Sequence, residues 1–509
     1  MAVSAAALAP RLTQRSITAA SWGIAGSALR VVLQMGAQIV LARILGPEEY
    51  GVFAVGVLVV TLALFFSDIG IAYGLIQRRE LDDRDIRFVF TWQFIFGSAV
   101  SVLIFATAPL VSAWMLQPRA GPLLMLLSIV CLLNALSAPA MNLLKRKLDY
   151  FSLQLAQVIS YVVGYVFVGI PMAMAGAGVD SLAYAWITLS VVQFAFLYWR
   201  TRHPVMPLVW FEHAGAHLRF GGIVLATNLV NWFVTNIDKA IAARFFPGAG
   251  VGLYSTSYTL LNTPTTVLYS TVQSVVLSAA ARLQDQQEAL KRGYLKLLGL
   301  FAAVFIPAFV TLSVVADTLV LALYGDRWSG AAPLVTAFAC AMPLMLFWGI
   351  STPILWNTGR ASREMLIQLP IAALWIGAAL VAASYSVTAL AWAMSACLLV
   401  RVAVVCIYVW RILGLRASEL RQAFVGPLVG TLIVSIVVFG ADFALKSLGV
   451  HALARLLADA LVGGVVLCVL LRFAAAAMSA PARGLIGESI RKVPSRVRPL
   501  LEVIARGPQ

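Results

Sequence analysis

Apolar stretches of eighteen or more residues recur along nearly the whole 509-residue chain. Each is long enough to cross a bilayer core about 30 Å thick. Charged residues make up 11% of the sequence and hydrophobic residues 61%, whereas a soluble chain carries about a quarter charged residues. The mean hydropathy is +0.92. The expected fold class is an all-α polytopic membrane protein with about fourteen transmembrane helices. The spans are read near 19–42, 51–75, 88–110, 122–144, 152–174, 180–199, 220–243, 252–277, 294–316, 332–355, 365–384, 387–410, 424–446 and 453–477.

The net charge of +16 first suggests a nucleic-acid partner, but its distribution excludes that reading. Assigned to alternate sides, 28 of the 37 Lys and Arg fall on the side of the termini, 6 on the other side and 3 inside spans. That asymmetry is the positive-inside signature, and it places both termini in the cytoplasm. Three basic residues, Arg30, Lys239 and Arg401, are counted inside spans, and those toward span ends (Lys296, Lys446, Arg455 and Arg472) with the adjoining side. No cleavable signal peptide is expected, because MAVSAAALAP lacks a charged start and Arg11 and Arg15 follow it. Cys131, Cys340, Cys397, Cys406 and Cys468 all fall in apolar spans without metal-type spacing, and are read as small packing residues.

The chain writes one phrase twice. ARILGPEEYGVF (42–53) recurs 201 positions later as ARFFPGAGVGLY (243–254), each with Gly eight residues after Arg and an aromatic two further on. At the same offset Ser27 matches Asn228, Arg30 matches Asn231, Gln34 matches Thr235 and Gln38 matches Lys239. At 100° per residue these positions share an arc of about 80° on each helix. SAPAMNLLKR (137–146) and STPILWNTGR (351–360) form a second, looser pair.

A six-span unit is therefore read as recurring. The expectation is two six-helix bundles related by a pseudo-twofold along the membrane normal, plus two extra C-terminal helices. The segments are a cytoplasmic 1–18, an N-lobe at 19–201, a connection at 202–219 and a C-lobe at 220–411. Helices 13 and 14 follow at 424–477, then a basic cytoplasmic tail at 478–509.

Polar side chains at bilayer depth face protein or a water-filled cavity. The matched stripes supply a candidate substrate cleft of Arg30, Gln34, Gln38, Asn228, Asn231, Thr235 and Lys239, with Ser27 and Arg401 less securely placed. The bland alternative is interhelical glue at about 0.6 kcal/mol per contact. Asp68 and Asp238 are the candidates for ion coupling, although Asp238 would also serve to neutralise Lys239 or Arg30. Arg43 and Arg244 read as anchors at helix C-termini, and Gly51 and Gly252 as permitting tight re-entry of the next span.

Asp82, Asp83 and Asp85 read as a solvated acidic loop. His213 and His217 stand four apart, but no third ligand lies near, so no metal site is expected. The tail, with Arg483, Arg491, Lys492, Arg496, Arg498 and Arg506 among apolar residues, suits anionic lipid or plain solvation. No phosphate-binding glycine loop, nucleophile elbow or zinc motif is present. No cofactor and no catalytic residue are expected.

FSDIGIAYGLIQRRELDDRDIRFVFTWQFIFG resembles the second and third spans of the polysaccharide transporters. These are the Wzx-like branch of the multidrug/oligosaccharidyl-lipid/polysaccharide flippase superfamily. TNIDKAIAARFFPGAGVGLYSTSYTL, LYGDRWSGAAPLV and NTGRASREM resemble that family's later landmarks, in order, so that the likeness runs over about residues 15–475. One departure is LSAAARL, where relatives often carry Pro and Ser278 stands nearest.

The resemblance implies two six-helix bundles working by alternating access in a bacterial cytoplasmic (inner) membrane. It also implies a substrate of oligosaccharide linked through pyrophosphate to a polyprenyl lipid, passed on from glycosyltransferases to a polymerase. In that frame Arg30 and Lys239 would meet phosphates, and Gln, Asn and Thr the sugar hydroxyls. H+ or Na+ would be the coupling ion. Two rivals stand beside it. An ion-coupled multidrug antiporter would favour an acidic cleft, and a membrane-embedded polysaccharide polymerase would favour large outer loops or an acidic metal-sugar motif.

Overall fold

The computed structural model describes residues 5–68, 70–77, 81–211, 214–283 and 286–473. Among them every regular element is helical, as membrane-embedded backbone requires when each N–H and C=O must be satisfied within its own segment. Among the described residues, eleven helical stretches are long and apolar enough to cross a membrane. The first, Gly26–Asp68, takes in the first two spans read from sequence. Residues 220–243 and 252–277 are also helical but are not among those stretches, so the count of fourteen is not confirmed. Two compact units emerge, Met1–Ser255 and Thr256–Gln509.

In the first unit α1 runs Ala5–Asp68 with one break, at Gly46 (φ 81°, ψ 176°), a backbone region that glycine enters without Cβ strain. The expected turn glycine was Gly51. That residue lies inside the helix, and its smallness serves a contact described below. After a 3-10 turn, Ile71–Tyr73, come α2 (Gly74–Gln77) and α3 (Asp83–Trp114). The acidic loop is a capping box. Asp82 caps α3, and the Asp85 carboxylate accepts the Asp82 N–H at 3.0 Å. Asp85 is 2% exposed, so it is structural rather than solvated.

α4 spans Ala120–Arg146 and α5 Tyr150–Tyr161. A π-helical stretch, Val162–Gly169, leads into α6 (Ile170–Met174), and α7 spans Asp180–Thr201. Gly164 lets the π stretch lie against α7, since a Cβ there would sit 2.5 Å from the Ala185 carbonyl oxygen. The unit closes with α8 (Ala214–Phe245) and the first turns of α9 (Gly248–Arg282). Its largest core gathers Val55 and Val60 of α1 with Leu124, Leu127, Val130 and Cys131 of α4, all fully buried.

Behind α7, His203 is 4% exposed and packs against Phe90 and Tyr198, with no partner for Nε2 among the described residues. Burial pushes its pKa below the ordinary 6.5. An unfolded chain regains 6.5, so the stabilisation is whole above that pH and is lost as pH falls through the depressed folded value. Thermal melts should therefore decline on acidification, and His203→Gln should flatten part of that decline. An acid limb unchanged by H203Q would show that other groups carry it.

The second unit holds most of α9, then α10 (Gln287–Val314), a short α11 (Ala316–Leu323), a 3-10 turn Asp326–Ala331, and α12 (Ala332–Asn357). It ends with α13 (Ala361–Ala383), α14 (Val387–Ile412), α15 (Ala417–Ser447) and α16 (Ala452–Phe473). Leu298, Ala302, Leu346, Ile350, Val405 and Val409 form its dry centre. Tyr294 hydrogen-bonds Ser351 at 3.0 Å and accepts from Trp410 Nε1 at 3.0 Å, which satisfies its buried hydroxyl.

The looser sequence pair occupies the ends of α4 and α12. There Asn142 and Asn357 each fold Nδ2 back onto the carbonyl four residues earlier, both at 2.9 Å. Cys131, Cys397 and Cys406 are buried as expected, whereas Cys340 and Cys468 are exposed. The basic tail and His213 lie outside the described residues.

Candidate functional site

The α1 stripe is held from the side by α5. Arg30 donates from Nη1 to Gln157 Oε1 at 2.9 Å, and its buried Nε has no partner among the described residues. Ser27 Oγ accepts from Gln154 at 3.4 Å. The helices meet at Gly26, where a Cβ would come within 2.5 Å of the Gln154 side chain. One turn up, the Gln34 carbonyl accepts from Tyr161 Oη at 3.4 Å, and the Gln38 carbonyl accepts from Tyr50 Oη at 3.1 Å. The Gln34 side chain is exposed and that of Gln38 half-buried. Gln154 and Gln157 were missed by sequence reasoning. Their spacing of three within an apolar span is the signal that pointed to them.

The α8 stripe is more open. Asn231 and Thr235 are exposed and Asn228 is half-buried. Thr235 Oγ1 donates to the Asn231 carbonyl at 2.8 Å, and Asn236 donates to Thr235 Oγ1 at 3.0 Å. Lys239 Nζ donates to Asn236 Oδ1 at 2.9 Å. Asp238, 5% exposed, points elsewhere and accepts from Tyr254 Oη at 2.8 Å. On the neighbouring turn Trp232 Nε1 reaches Thr61 of α1 at 3.3 Å.

Asp68 ends α1 and is fastened to α3, where Gln93 Nε2 donates to its carboxylate at 2.7 Å and to its carbonyl at 2.9 Å. Arg401 lies in the second unit, apart from these stripes in the chain. Its guanidinium stacks 4.0 Å from the Trp348 ring centre, and Nε donates to Gln368 at 2.9 Å. Such a cation–π seat compensates part of the lost hydration. Among the described residues, no group of three or more His, Cys, Asp or Glu could hold a metal ion.

The duplicated phrase meets its own copy. A Cβ on Gly51 would lie 1.6 Å from the Gly248 carbonyl oxygen, and one on Gly252 would lie 1.9 Å from that of Pro47. Because 47 pairs with 248 and 51 with 252 in the repeat, the contact is reciprocal, as in a twofold interface. Small residues four apart let two helix starts approach backbone to backbone. Gln117 Nε2 closes one side by donating to the Phe246 carbonyl at 2.8 Å. Glu49 closes another. It binds Arg119 Nη2 at 2.6 Å and accepts the Val179 N–H at 2.8 Å.

Residues 40–333 match a family model described as polysaccharide biosynthesis protein. The lipopolysaccharide biosynthesis protein WzxC of Escherichia coli (strain K12) is 25% identical over 342 residues, covering 66% of this chain and 68% of that one. The teichuronic acid biosynthesis protein TuaB of Bacillus subtilis (strain 168) is 22% identical over 454 residues, covering 88% and 93%. Among solved structures, a lipid II flippase, MurJ, in an inward closed conformation superposes with a TM-score of 0.71. It is 13% identical, over 87% of this chain and 96% of that one. That likeness speaks to the fold.

Proposed function

The chain belongs to the polysaccharide biosynthesis protein family matched over residues 40–333, and from that premise we propose that it is a flippase rather than an enzyme. Its cargo is an oligosaccharide unit carried on a polyprenyl pyrophosphate, of the exopolysaccharide, capsule or O-antigen type. It moves this unit across the cytoplasmic membrane by alternating access, with both chain termini in the cytoplasm. A pyrophosphate-sugar head cannot cross hydrocarbon unaided, because desolvating its charges costs many kcal/mol. The N-lobe at 19–201 and the C-lobe at 220–411 would be the moving halves.

One observation carries the reading. Arg30 is held by Gln157 yet keeps a buried N–H unused, on a stripe that its duplicate repeats with Lys239. A guanidinium fixed on one edge is set to bind a phosphate oxygen with the other. Gln34, Gln38, Asn228, Asn231 and Thr235 supply hydrogen-bonding groups for sugar hydroxyls. Ser27 holds Gln154 in register. Asp68 and Asp238 are the acids proposed to take up H+ or Na+, with Gln93 and Tyr254 as their respective partners. Glycosyltransferases would supply the cargo, a polymerase would receive it, and the tail at 478–509 would rest on anionic lipid.

The test is flipping of a short-chain lipid-linked oligosaccharide in proteoliposomes. A charge-assisted hydrogen bond contributes about 1.5–3 kcal/mol, so Arg30→Ala and Lys239→Ala should each lower flipping about tenfold or more. Both proteins should insert normally, and cells carrying them should hold the precursor on the cytoplasmic side. Full activity in the double substitution would overturn the phosphate role.

A further inference from the structure

The last two helices have no counterpart in the repeat and lie beyond the matched family region, yet they bury three charges. Asp442 of α15 accepts from Thr318 of α11 at 2.8 Å and from Arg455 of α16 at 3.0 Å (Nε) and 2.7 Å (Nη2), all on Oδ1. Arg455, 6% exposed, also donates to the Thr318 hydroxyl. This closed triangle across three helices is electrically neutral.

Asp459 stands one turn beyond Arg455 on α16. It is 2% exposed, and neither carboxyl oxygen has a hydrogen-bond partner among the described residues. The charged groups acting on it are Asp442 of α15 and Arg455 of its own helix. Asp317 of α11 and Lys446 of α15 are exposed and take no part. The cluster thus carries one surplus negative charge in a dry site. An ionised carboxylate buried without a partner is strongly unfavourable.

We propose that Asp459, facing Asp442 and Arg455, is a buried proton-binding site that fastens α16 to α15 and α11. One proton brings the cluster to zero charge and turns Asp459 into a hydrogen-bond donor. Asp442 is the neighbouring acid that acts on it. A metal cation is disfavoured. Asp442 Oδ1 and the Thr318 hydroxyl are already engaged, Arg455 repels a second cation, and too few free oxygens remain for a hard ion, which takes about six.

Two more polar atoms continue the line. The Thr311 hydroxyl of α10 and the Ser435 hydroxyl of α15 are also buried without partners among the described residues. The Thr311 methyl group lies 3.9 Å from the Cβ position of Gly463, one turn beyond Asp459. Ser435 lies two turns before Asp442 on the same face of α15. The site does not depend on what the chain transports.

The experiment uses the full chain in lipid nanodiscs treated with dicyclohexylcarbodiimide, which modifies neutral carboxyl groups in apolar surroundings, and peptide mass spectrometry. Asp459 should be labelled in mildly acidic buffer, with labelling falling about tenfold or more in alkaline buffer and no protection by NaCl. Difference infrared spectra give an independent reading. A neutral-acid C=O band should be present in the wild type and absent in Asp459→Asn, whose fold is checked by circular dichroism. Protection by Na+ would replace the proton with a metal cation and overturn the proposal. Absence of the infrared band at every pH would also overturn it, whether or not the reagent reaches the site.

Discussion

Arg455→Ala should destabilise the second unit by about 3–5 kcal/mol, the cost of stripping one partner from a buried ion pair. The guanidinium donates to Asp442 through two nitrogens and also to Thr318, and the side chains of the pair are only 8% and 15% exposed. Removing it leaves Asp442 with Thr318 alone and two buried acids side by side. The companion double substitution Arg455→Met with Asp442→Leu should recover most of the loss, because apolar replacement of a whole buried pair is often neutral or better. Thermal unfolding of the purified protein in detergent measures both. A cost under about 1 kcal/mol for R455A, the range of exposed pairs, would show the cluster to be solvated.

Gly51→Ala and Gly252→Ala should each cost about 3 kcal/mol, the upper end of the usual range for overpacking. The obstructing atoms are backbone carbonyl oxygens at 1.6 and 1.9 Å, which cannot rotate away as a side chain would. The helix starts must therefore separate. Gly36, on the same helix, has nothing within 4 Å of its Cβ position. Gly36→Ala should be neutral or stabilise by about 0.5–1 kcal/mol. Equal stability of G51A and G36A would mean that the reciprocal contact does not form in the folded protein.

The helical class was legible because hydrocarbon thickness leaves a length signature, and the duplicated phrase was legible because it is literal. What a glycine is for was not. A sequence records the missing Cβ at Gly51 without saying whether a turn or a close neighbour requires it, and the bend fell five residues earlier, at Gly46. The α1 stripe was legible as periodic polarity. Its partners were not, since Gln157 lies 127 residues from Arg30 and only tertiary packing joins them. Arg401 was visible as a charge at bilayer depth, but its seat on Trp348 was hidden among the many aromatics.

Asp442, Arg455 and Asp459 escaped notice for another reason. They lie near the ends of spans 13 and 14, where charges are ordinarily read as interfacial. The acid-base spacing of four on α16 was the available clue. The acidic run at Asp82–Asp85 misled in the opposite sense, because a cap and a solvated loop share a composition.

Glu49 ties the α3–α4 turn, through Arg119, and the α6–α7 turn, through the Val179 N–H, to the segment just past the Gly46 bend. Three loops that are distant in sequence thus share one acidic yoke. None can swing outward alone without stripping that carboxylate of a ligand, so this end of the unit is built to travel as a single plate. Its natural axis of rotation is the glycine bend three residues before the yoke.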